Sequence, residues 1–233
     1  MNRHPEMMTL RILGRLLAYP TPDLITAHPD CRRRIAADGI CGARTKAALD
    51  AVMASMMEGD LLDLQEDYVG LFDRTPSLSL HLFEHVHGDG RDRGQALVDL
   101  MDVYRDAGLE ITVAETPDYL PLFLEFLSGL SREEAGRHLG HVVDILGILE
   151  ARLMRRRSPY ARVMTALIGC AARRPDRRAV RLALGRAGGA APSRAELDRS
   201  WTETPAFDAP PTAGPAGDSG CGRAAEMLRR MAR

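Results

Sequence analysis

The stretch from Tyr68 to Met101 reads YVGLFDRTPSLSLHLFEHVHGDGRDRGQALVDLM, and it places many polar side chains in a part of the chain that is otherwise rich in leucine. It contains three histidines, a glutamate between two of them, and an alternating run of arginine and aspartate. Buried polar groups must find hydrogen-bond partners, so this density is costly inside a packed core. We therefore interpret the stretch as a working surface rather than as a packing element.

Apolar residues recur at helical spacing on both sides of this polar stretch. The pattern includes Leu61, Leu64, Tyr68 and Leu71 before it, and Leu97, Leu100, Met101 and Tyr104 after it. Ser131 and Glu134 form a capping box, which predicts the start of a long helix that runs to about Arg157. The apolar spacing along this helix places one stripe on a single face, formed by Leu139, Val142, Leu146, Leu149 and Leu153. The sequence thus predicts an all-α fold, a single helical bundle of about eight to ten helices over residues 1–185.

The secondary structure of two short segments does not follow directly from their apolar spacing. Residues 77–82 alternate with period two, as a strand would, but the chain offers no convincing partner strand, so we expect an extended connector or a short helix there. Thr116 and Pro117 look like an N-cap followed by proline at the first helical position, with Asp118 favouring the helix dipole. A second helix is therefore expected to begin at Pro117.

The composition changes after about Leu184. Residues 186–233 are rich in Gly, Ala and Pro and contain few large apolar side chains. Such a segment cannot bury enough surface to offset the entropy of ordering it. We predict a flexible C-terminal tail that is dispensable for folding, so truncation after Gly185 should preserve the helical content.

Charge and cysteine usage exclude several classes of protein. The formal net charge is -1, which gives no overall field that favours nucleic acid or an anionic membrane. The four cysteines form no C-x-x-C pair, and their low density fits a reducing compartment. No window approaches the roughly 18 apolar residues that span a bilayer, so we expect neither membrane insertion nor a nucleic-acid partner.

Several segments resemble the signature of the NarJ family, whose members are cytoplasmic chaperones dedicated to respiratory nitrate reductase. The resemblance is carried by YVGLFDR at 68–74, SLHLFEHVHG at 79–88, RDRGQA at 91–96, ETPDYLPLFLEFL at 115–127, and the spaced residues Trp201, Glu203, Pro205 and Phe207 followed by GDSGC at 217–221. It implies a cytoplasmic chaperone that binds the N-terminal segment of the apo catalytic (alpha) subunit. The client would stay competent for molybdenum cofactor insertion before membrane docking.

The resemblance also implies a binding site, without catalytic residues, metal or resident cofactor. Proteins of molybdenum cofactor biosynthesis would be further partners. In the wider TorD-like group, an acidic Pro-Asp motif at the place of Glu115–Asp118 lines the cleft for the client peptide. The residues expected to bind the peptide are His81, Glu84, His85, His87, Arg91, Asp92, Arg93, Gln95, Glu115, Pro117, Asp118, Tyr119, Leu122 and Phe123.

An alternative hypothesis is a metal-dependent hydrolase. His81, Glu84 and His85 match H-x-x-E-H, in which two histidines one helical turn apart bind zinc and the glutamate activates water. The other interpretation of these histidines is hydrogen bonding in a buried polar junction, or a link to Asp or Arg side chains. Arginines of the 91–93 run are expected to pair with Asp73, Glu84 or nearby acids.

Overall fold

The structure is a computed structural model that describes residues 7–39, 41–87, 91–112 and 114–186. The chain forms ten α-helices in these ranges, which confirms the predicted all-α bundle. They are α1 (Met8–Leu16), α2 (Pro22–Asp38), α3 (Ala43–Glu58), α4 (Leu61–Tyr68), α5 (Glu84–His87), α6 (Arg91–Asp106), α7 (Leu120–Ser128), α8 (Arg132–Arg155), α9 (Tyr160–Cys170) and α10 (Arg177–Arg186). The predicted tail lies outside the described residues from 187 onward.

Helix α8 is the longest helix, and α7, α9 and α10 pack against it. It begins at the predicted capping box: Ser131 Oγ accepts from the Glu134 amide at 3.3 Å, and a Glu134 carboxylate oxygen accepts from the Ser131 amide at 3.1 Å. One face of α8 is fully buried, and it carries the stripe predicted from the apolar spacing, Leu139, Val142, Leu146, Leu149 and Leu153. Burial of this stripe supplies much of the hydrophobic core.

Helices α1 and α7 approach each other closely at a glycine. A Cβ placed on Gly14 would lie 3.0 Å from the carbonyl oxygen of Pro121. The missing side chain therefore lets α1 lie directly on the first turn of α7. This contact fixes the position of α7, whose N-terminus borders the polar stretch.

Helix α2 begins at a proline and ends at a glycine. Thr21 caps α2 through its hydroxyl, with Pro22 as the first helical residue, and Gly39 ends that helix at a φ of 65°. The prediction for Thr116 and Pro117 is wrong, because α7 begins only at Leu120 with Tyr119 as its N-cap residue. The three residues before Tyr119 form a turn, in which the Tyr119 amide donates to the Thr116 carbonyl at 3.0 Å.

The polar stretch crosses the bundle between α4 and α6. Helix α4 continues into a π-helical turn, Val69–Asp73, and a 3₁₀ turn follows at Pro76–Leu78. The chain is then extended, and His81 forms an isolated antiparallel bridge with Tyr119. The expected connector is therefore present, with the difference that it finds a one-residue partner in the segment before α7.

Candidate functional site

The bridge brings two segments of the chain together that lie far apart in sequence. The Leu82 amide donates to the Asp118 carbonyl at 3.0 Å, and the Leu120 amide donates to the Leu80 carbonyl at 2.9 Å. These two hydrogen bonds hold the connector after the 3₁₀ turn against the N-terminus of α7. We call the paired segments 79–85 and 115–120 the crossing.

Asp118 lies at the centre of the crossing, and its side chain is fully buried. One carboxylate oxygen accepts from the Phe83 amide at 3.0 Å, and the other accepts from the Thr116 hydroxyl at 2.6 Å. The same hydroxyl lies 2.9 Å from His81 Nδ1, so it accepts from that nitrogen. His81 Nδ1 is also 3.6 Å from the Asp118 carboxylate. These donors and the nearby imidazole compensate the buried Asp118 carboxylate for the loss of its hydration.

These contacts set the protonation of both groups. The contact with Asp118 raises the pKa of His81 above its ordinary value, against the opposing effect of burial. Burial on its own raises the pKa of the Asp118 carboxyl, but the nearby His81 imidazole and hydrogen bonds from Thr116 and the Phe83 amide outweigh it and leave the pKa below its ordinary value. The pair therefore favours a protonated imidazole beside an ionised carboxylate.

Arg93 ties α6 to the crossing. Its guanidinium lies 3.2 Å from the Glu84 carboxylate and 3.8 Å from that of Asp118. This is the kind of pairing that the sequence predicted for the arginine run, and it joins the start of α6 to the start of α5. The Arg93 Nε is buried without a hydrogen-bond partner among the described residues.

The geometry around His81, Glu84 and His85 differs from that of a zinc-peptidase helix. Helix α5 begins at Glu84, so His81 lies on the extended bridge and the two histidines do not share a helix. His85 Nε2 lies 2.8 Å from the Ser79 carbonyl oxygen and donates to it. Among the residues that the structure describes, no group of three or more His, Cys, Asp or Glu is placed to hold a metal ion.

An open cavity of about 430 Å³ lies beside the crossing. Its aromatic lining comes from Tyr19, Tyr68, Phe72 and Tyr119. Ring centroids of Tyr68 lie 5.6 Å from Tyr19 and 5.0 Å from Phe72, and the Tyr119 ring is 5.3 Å from that of His81. Contacts of this geometry stabilise aromatic clusters.

Two tyrosine hydroxyls fix the floor of the cavity. The Tyr68 hydroxyl donates to the Leu17 carbonyl at 3.0 Å and lies 3.1 Å from the Tyr119 hydroxyl. Burial raises the pKa of both phenols, so both remain neutral donors at physiological pH. The floor is therefore aromatic and uncharged.

The rim of the cavity carries acidic groups. Asp73, Glu84 and Glu115 line it, together with the half-buried His81. Glu115 is exposed, whereas the Glu84 side chain is 31% exposed and bound to Arg93. An aromatic floor below an acidic rim suits a segment that presents apolar side chains inward and basic side chains outward.

The expected peptide-binding residues occupy different positions in this arrangement. His81, Glu84, Glu115 and Tyr119 line the cavity. Asp118 is buried beneath it, and His85 and Arg93 brace the crossing.

The remaining expected residues lie elsewhere. Pro117 is buried and its carbonyl accepts from Tyr104, Phe123 is fully buried in the core, and Leu122 packs partly buried against it. Gln95 is exposed on α6, where it donates to Asp99. The side chains of His87, Arg91 and Asp92 lie outside the described part of the structure.

Several lining residues were not predicted. Tyr68, Phe72 and Asp73 belong to the quoted stretch, where helical spacing predicts a core position for Tyr68 and Asp73 is a predicted partner of the 91–93 arginines. Tyr19 comes from the loop after α1, and it is 46% exposed. An exposed aromatic residue in a loop is a signal for such a site, but the sequence alone does not show that it is exposed.

None of the helices in the described ranges combines the length and the apolar character that a bilayer crossing requires.

The fold is similar to that of a putative redox enzyme maturation protein from Archaeoglobus fulgidus. The two structures superimpose with a TM-score of 0.52, over 70% of this chain and 93% of that chain, at 19% sequence identity. At this identity the likeness concerns the fold alone.

The sequence defines the family more closely. The family described as "Nitrate reductase delta subunit" matches residues 41–166, and the chain belongs to this family. The nitrate reductase molybdenum cofactor assembly chaperone NarJ of Escherichia coli (strain K12) is 42% identical over 162 residues, which are 70% of this chain and 69% of that protein. The probable chaperone NarW of the same strain is 38% identical, over 70% of this chain and 67% of that protein.

A more distant relative covers more of its own length. The probable nitrate reductase molybdenum cofactor assembly chaperone NarJ of Bacillus subtilis (strain 168) is 29% identical over 168 residues, which are 72% of this chain and 90% of that protein. The matched family region contains the crossing and most of the cavity lining, which makes this site the natural candidate for a shared function.

Proposed function

We propose that this protein is a system-specific cytoplasmic chaperone for respiratory nitrate reductase. It binds the N-terminal segment of the apo catalytic (alpha) subunit and keeps that subunit competent for molybdenum cofactor insertion before membrane docking. The names of the E. coli relatives support the maturation role. The cavity beside the crossing is the observation that supports the proposed binding site. Proteins of molybdenum cofactor biosynthesis are further proposed partners.

The lining of the cavity supports an amphipathic, basic segment as the ligand. Tyr19 and Tyr119 line the cavity and offer aromatic surface to apolar side chains, and the carboxylates of Asp73 and Glu115 in the same lining offer partners to basic side chains. An amphipathic helix with one apolar stripe and flanking Arg or Lys meets both conditions. Attraction between the rim and the basic residues speeds association and weakens with salt.

The proposed work requires no chemical step. A chaperone acts through different affinities for the immature and the mature client. His81 is bound by Thr116 and Asp118, and His85 donates to the Ser79 carbonyl, so both have structural roles in the crossing. Replacing Glu84 by Gln leaves the protein largely folded, whereas it would abolish the turnover of a hydrolase that relied on this glutamate.

Calorimetric titration of the client's N-terminal peptide tests the site. Tyr119→Ala removes one aromatic face, and Glu115→Lys reverses one charge at the exposed rim; both are expected to weaken binding by more than tenfold, a loss above about 1.4 kcal/mol. Met154→Ala, at an exposed position far along α8, is the matched control and keeps the affinity of the wild type. Unchanged affinity in both cavity variants, with both proteins folded, would place the binding site elsewhere.

The identity of the client is tested in cells. A tagged copy purified from nitrate-respiring cells should bring the nitrate reductase alpha subunit with it, and Tyr119→Ala should bring less. Recovery of a different molybdoenzyme as the main partner would reject the proposed client while leaving the maturation role in place.

A further inference from the structure

Residues 223–233 read RAAEMLRRMAR, a sequence pattern that is typical of a basic amphipathic helix. One apolar stripe follows the i, i+3, i+4, i+7 spacing and consists of Ala224, Met227, Leu228 and Met231. Four arginines and one glutamate occupy the positions opposite this stripe, which gives the segment a net charge of +3. The segment lies outside the described residues, so this pattern is a property of the sequence.

The cavity beside the crossing has a complementary lining. Four aromatic rings supply its apolar surface and Asp73, Glu84 and Glu115 supply its carboxylates, whereas none of the described residues that line it is a lysine or an arginine. Glu84 is bound to Arg93, but neither Asp73 nor Glu115 forms a salt bridge within the described ranges. Two carboxylates therefore remain for the basic side chains of a ligand. Methionine side chains, in turn, adapt their shape and make favourable contacts with aromatic rings.

From this complementarity we propose that residues 223–233 of the chain itself occupy the cavity beside the crossing, and that a client segment binds there only by displacing them. The apolar stripe of the segment lies on the aromatic floor, and its arginines lie toward Asp73 and Glu115. This inference rests on the proposed function, because it assigns an intrachain competitor to the cavity that the client uses.

The length of chain before the segment is sufficient for this contact. Residues 187–222 separate it from Arg186, the last residue of α10, and they number thirty-six. A chain of this length spans at most about 120 Å, at roughly 3.3–3.6 Å per residue. A domain of the size of the helical bundle has a radius of gyration of about 16 Å. Every point on the surface of the bundle is therefore within reach of the segment.

The covalent connection makes even a weak contact effective. Binding of a tethered segment is intramolecular, at an effective concentration on the order of 1 mM. A segment with an intrinsic Kd of about 0.1 mM then fills about nine cavities in ten and weakens an external ligand about tenfold. The cavity is thus closed to weakly binding basic peptides, and a client with higher affinity opens it.

Crosslinking tests the contact in the full chain. Lys46 is the only lysine in the sequence, so Arg230→Lys keeps the charge of the segment and adds one reactive amine. A carbodiimide, which joins lysine amines to carboxylates, should link the segment to Asp73, Glu84 or Glu115 in the monomeric product, as peptide mapping would show. Links only to carboxylates outside the cavity, links only between two chains, or no link would overturn the proposal.

A synthetic peptide of residues 222–233, GRAAEMLRRMAR, measures whether the cavity is free. Met227→Asp and Leu228→Asp, introduced together in the full chain, disrupt the apolar stripe. The fluorescent peptide should bind this stripe variant at least about tenfold more tightly than it binds the wild type, because the cavity is no longer occupied. Equal affinity for the two proteins would overturn the proposal.

Two further chains control this measurement. Ala213→Asp with Ala216→Asp adds the same charges outside the segment, and this matched control should bind the peptide as weakly as the wild type. Adding Glu115→Lys to the stripe variant should weaken peptide binding, because it reverses a charge in the cavity itself. Tight binding of the peptide to either chain would overturn the proposal.

The client's N-terminal peptide separates this inference from the proposed function. It should also bind the stripe variant more tightly than the wild type. Equal, measurable affinity for both proteins would overturn the inference and leave the proposed function in place. A client peptide that binds neither protein, while peptide 222–233 distinguishes them, would reject the proposed function and support the intrachain contact.

Discussion

Asp118 and Glu115 lie three residues apart, and the structure gives them opposite tasks. Asp118 is fully buried and accepts hydrogen bonds from the Phe83 amide and the Thr116 hydroxyl. Glu115 is exposed on the cavity rim. The helix-dipole role expected for Asp118 is wrong, because α7 starts two residues later. Asp118 therefore stabilises the crossing beneath the cavity and does not line it. Asp118→Lys would bury an unpaired positive charge, so this variant would test folding and not client binding.

The first prediction compares these two carboxylates. Asp118→Ala leaves the Thr116 hydroxyl and the Phe83 amide without their acceptor and removes the negative charge beside His81, so the free energy of unfolding should fall by about 3 to 5 kcal/mol. Glu115→Ala changes an exposed group and should stay within about 0.5 kcal/mol of the wild type. Urea denaturation followed by circular dichroism measures both. Equal stabilities of the two variants would contradict the central position of Asp118.

At the scale of the helices, close contact decides where the site forms. Helix α1 lies on α7 at Gly14, and the position of α7 in turn fixes Tyr119 and the bridge to His81. Helix α6 joins the crossing through Arg93, and α8 contacts the 3₁₀ turn before it, where Arg152 donates to the Ser77 carbonyl. The crossing is therefore irregular backbone held by side chains of regular helices.

The second prediction concerns two glycines on helices. A Cβ on Gly14 would lie 3.0 Å from the Pro121 carbonyl oxygen, which is backbone and cannot move aside, so Gly14→Ala should destabilise the fold by about 1 to 3 kcal/mol. Gly94 on α6 has no atom within 4 Å of such a Cβ. Gly94→Ala should therefore stabilise the fold by about 1 kcal/mol through helix propensity. Thermal unfolding of the two variants checks the sign of each change.

Across the whole molecule, several histidines are held neutral by burial. Burial lowers the pKa of His138 to about 4, with His141 and Arg137 adding to the effect. Burial likewise lowers the pKa of His28 and of His85. The pKa of His81 shifts in the opposite direction, because the contact with Asp118 raises it.

The third prediction follows from His138. The unfolded chain takes up a proton near pH 6.5 and the folded chain only near pH 4, so the contribution of this residue is complete above pH 6.5 and is lost as the pH falls toward 4. Because the ring is partly exposed, we expect a loss of about 1 to 2 kcal/mol. Unfolding free energies measured between pH 7 and pH 4 should fall more steeply for the wild type than for His138→Gln. Identical slopes would contradict the depressed pKa.

The fourth prediction concerns the segment after α10. Its composition is poor in large apolar residues, and α10 itself packs on α8, so a chain that ends after Arg186 should keep its helical circular dichroism. Its unfolding temperature should shift by no more than about 3 °C, which corresponds to less than 1 kcal/mol. A large loss of helicity would mean that the segment contributes to the core.

The amino-acid sequence by itself determined the helical bundle, the capping box of α8 and the buried stripe that follows it, because helical periodicity and caps depend on residues within one or two turns. It also marked the polar stretch as the place to look for function. Only the tertiary structure decided that Asp118 is internal, that His81 pairs with Tyr119, and that Tyr19 lines the cavity. His81 and Thr116 meet across 35 residues of sequence. Which polar groups meet over such a distance depends on how whole helices pack, and no local pattern encodes it.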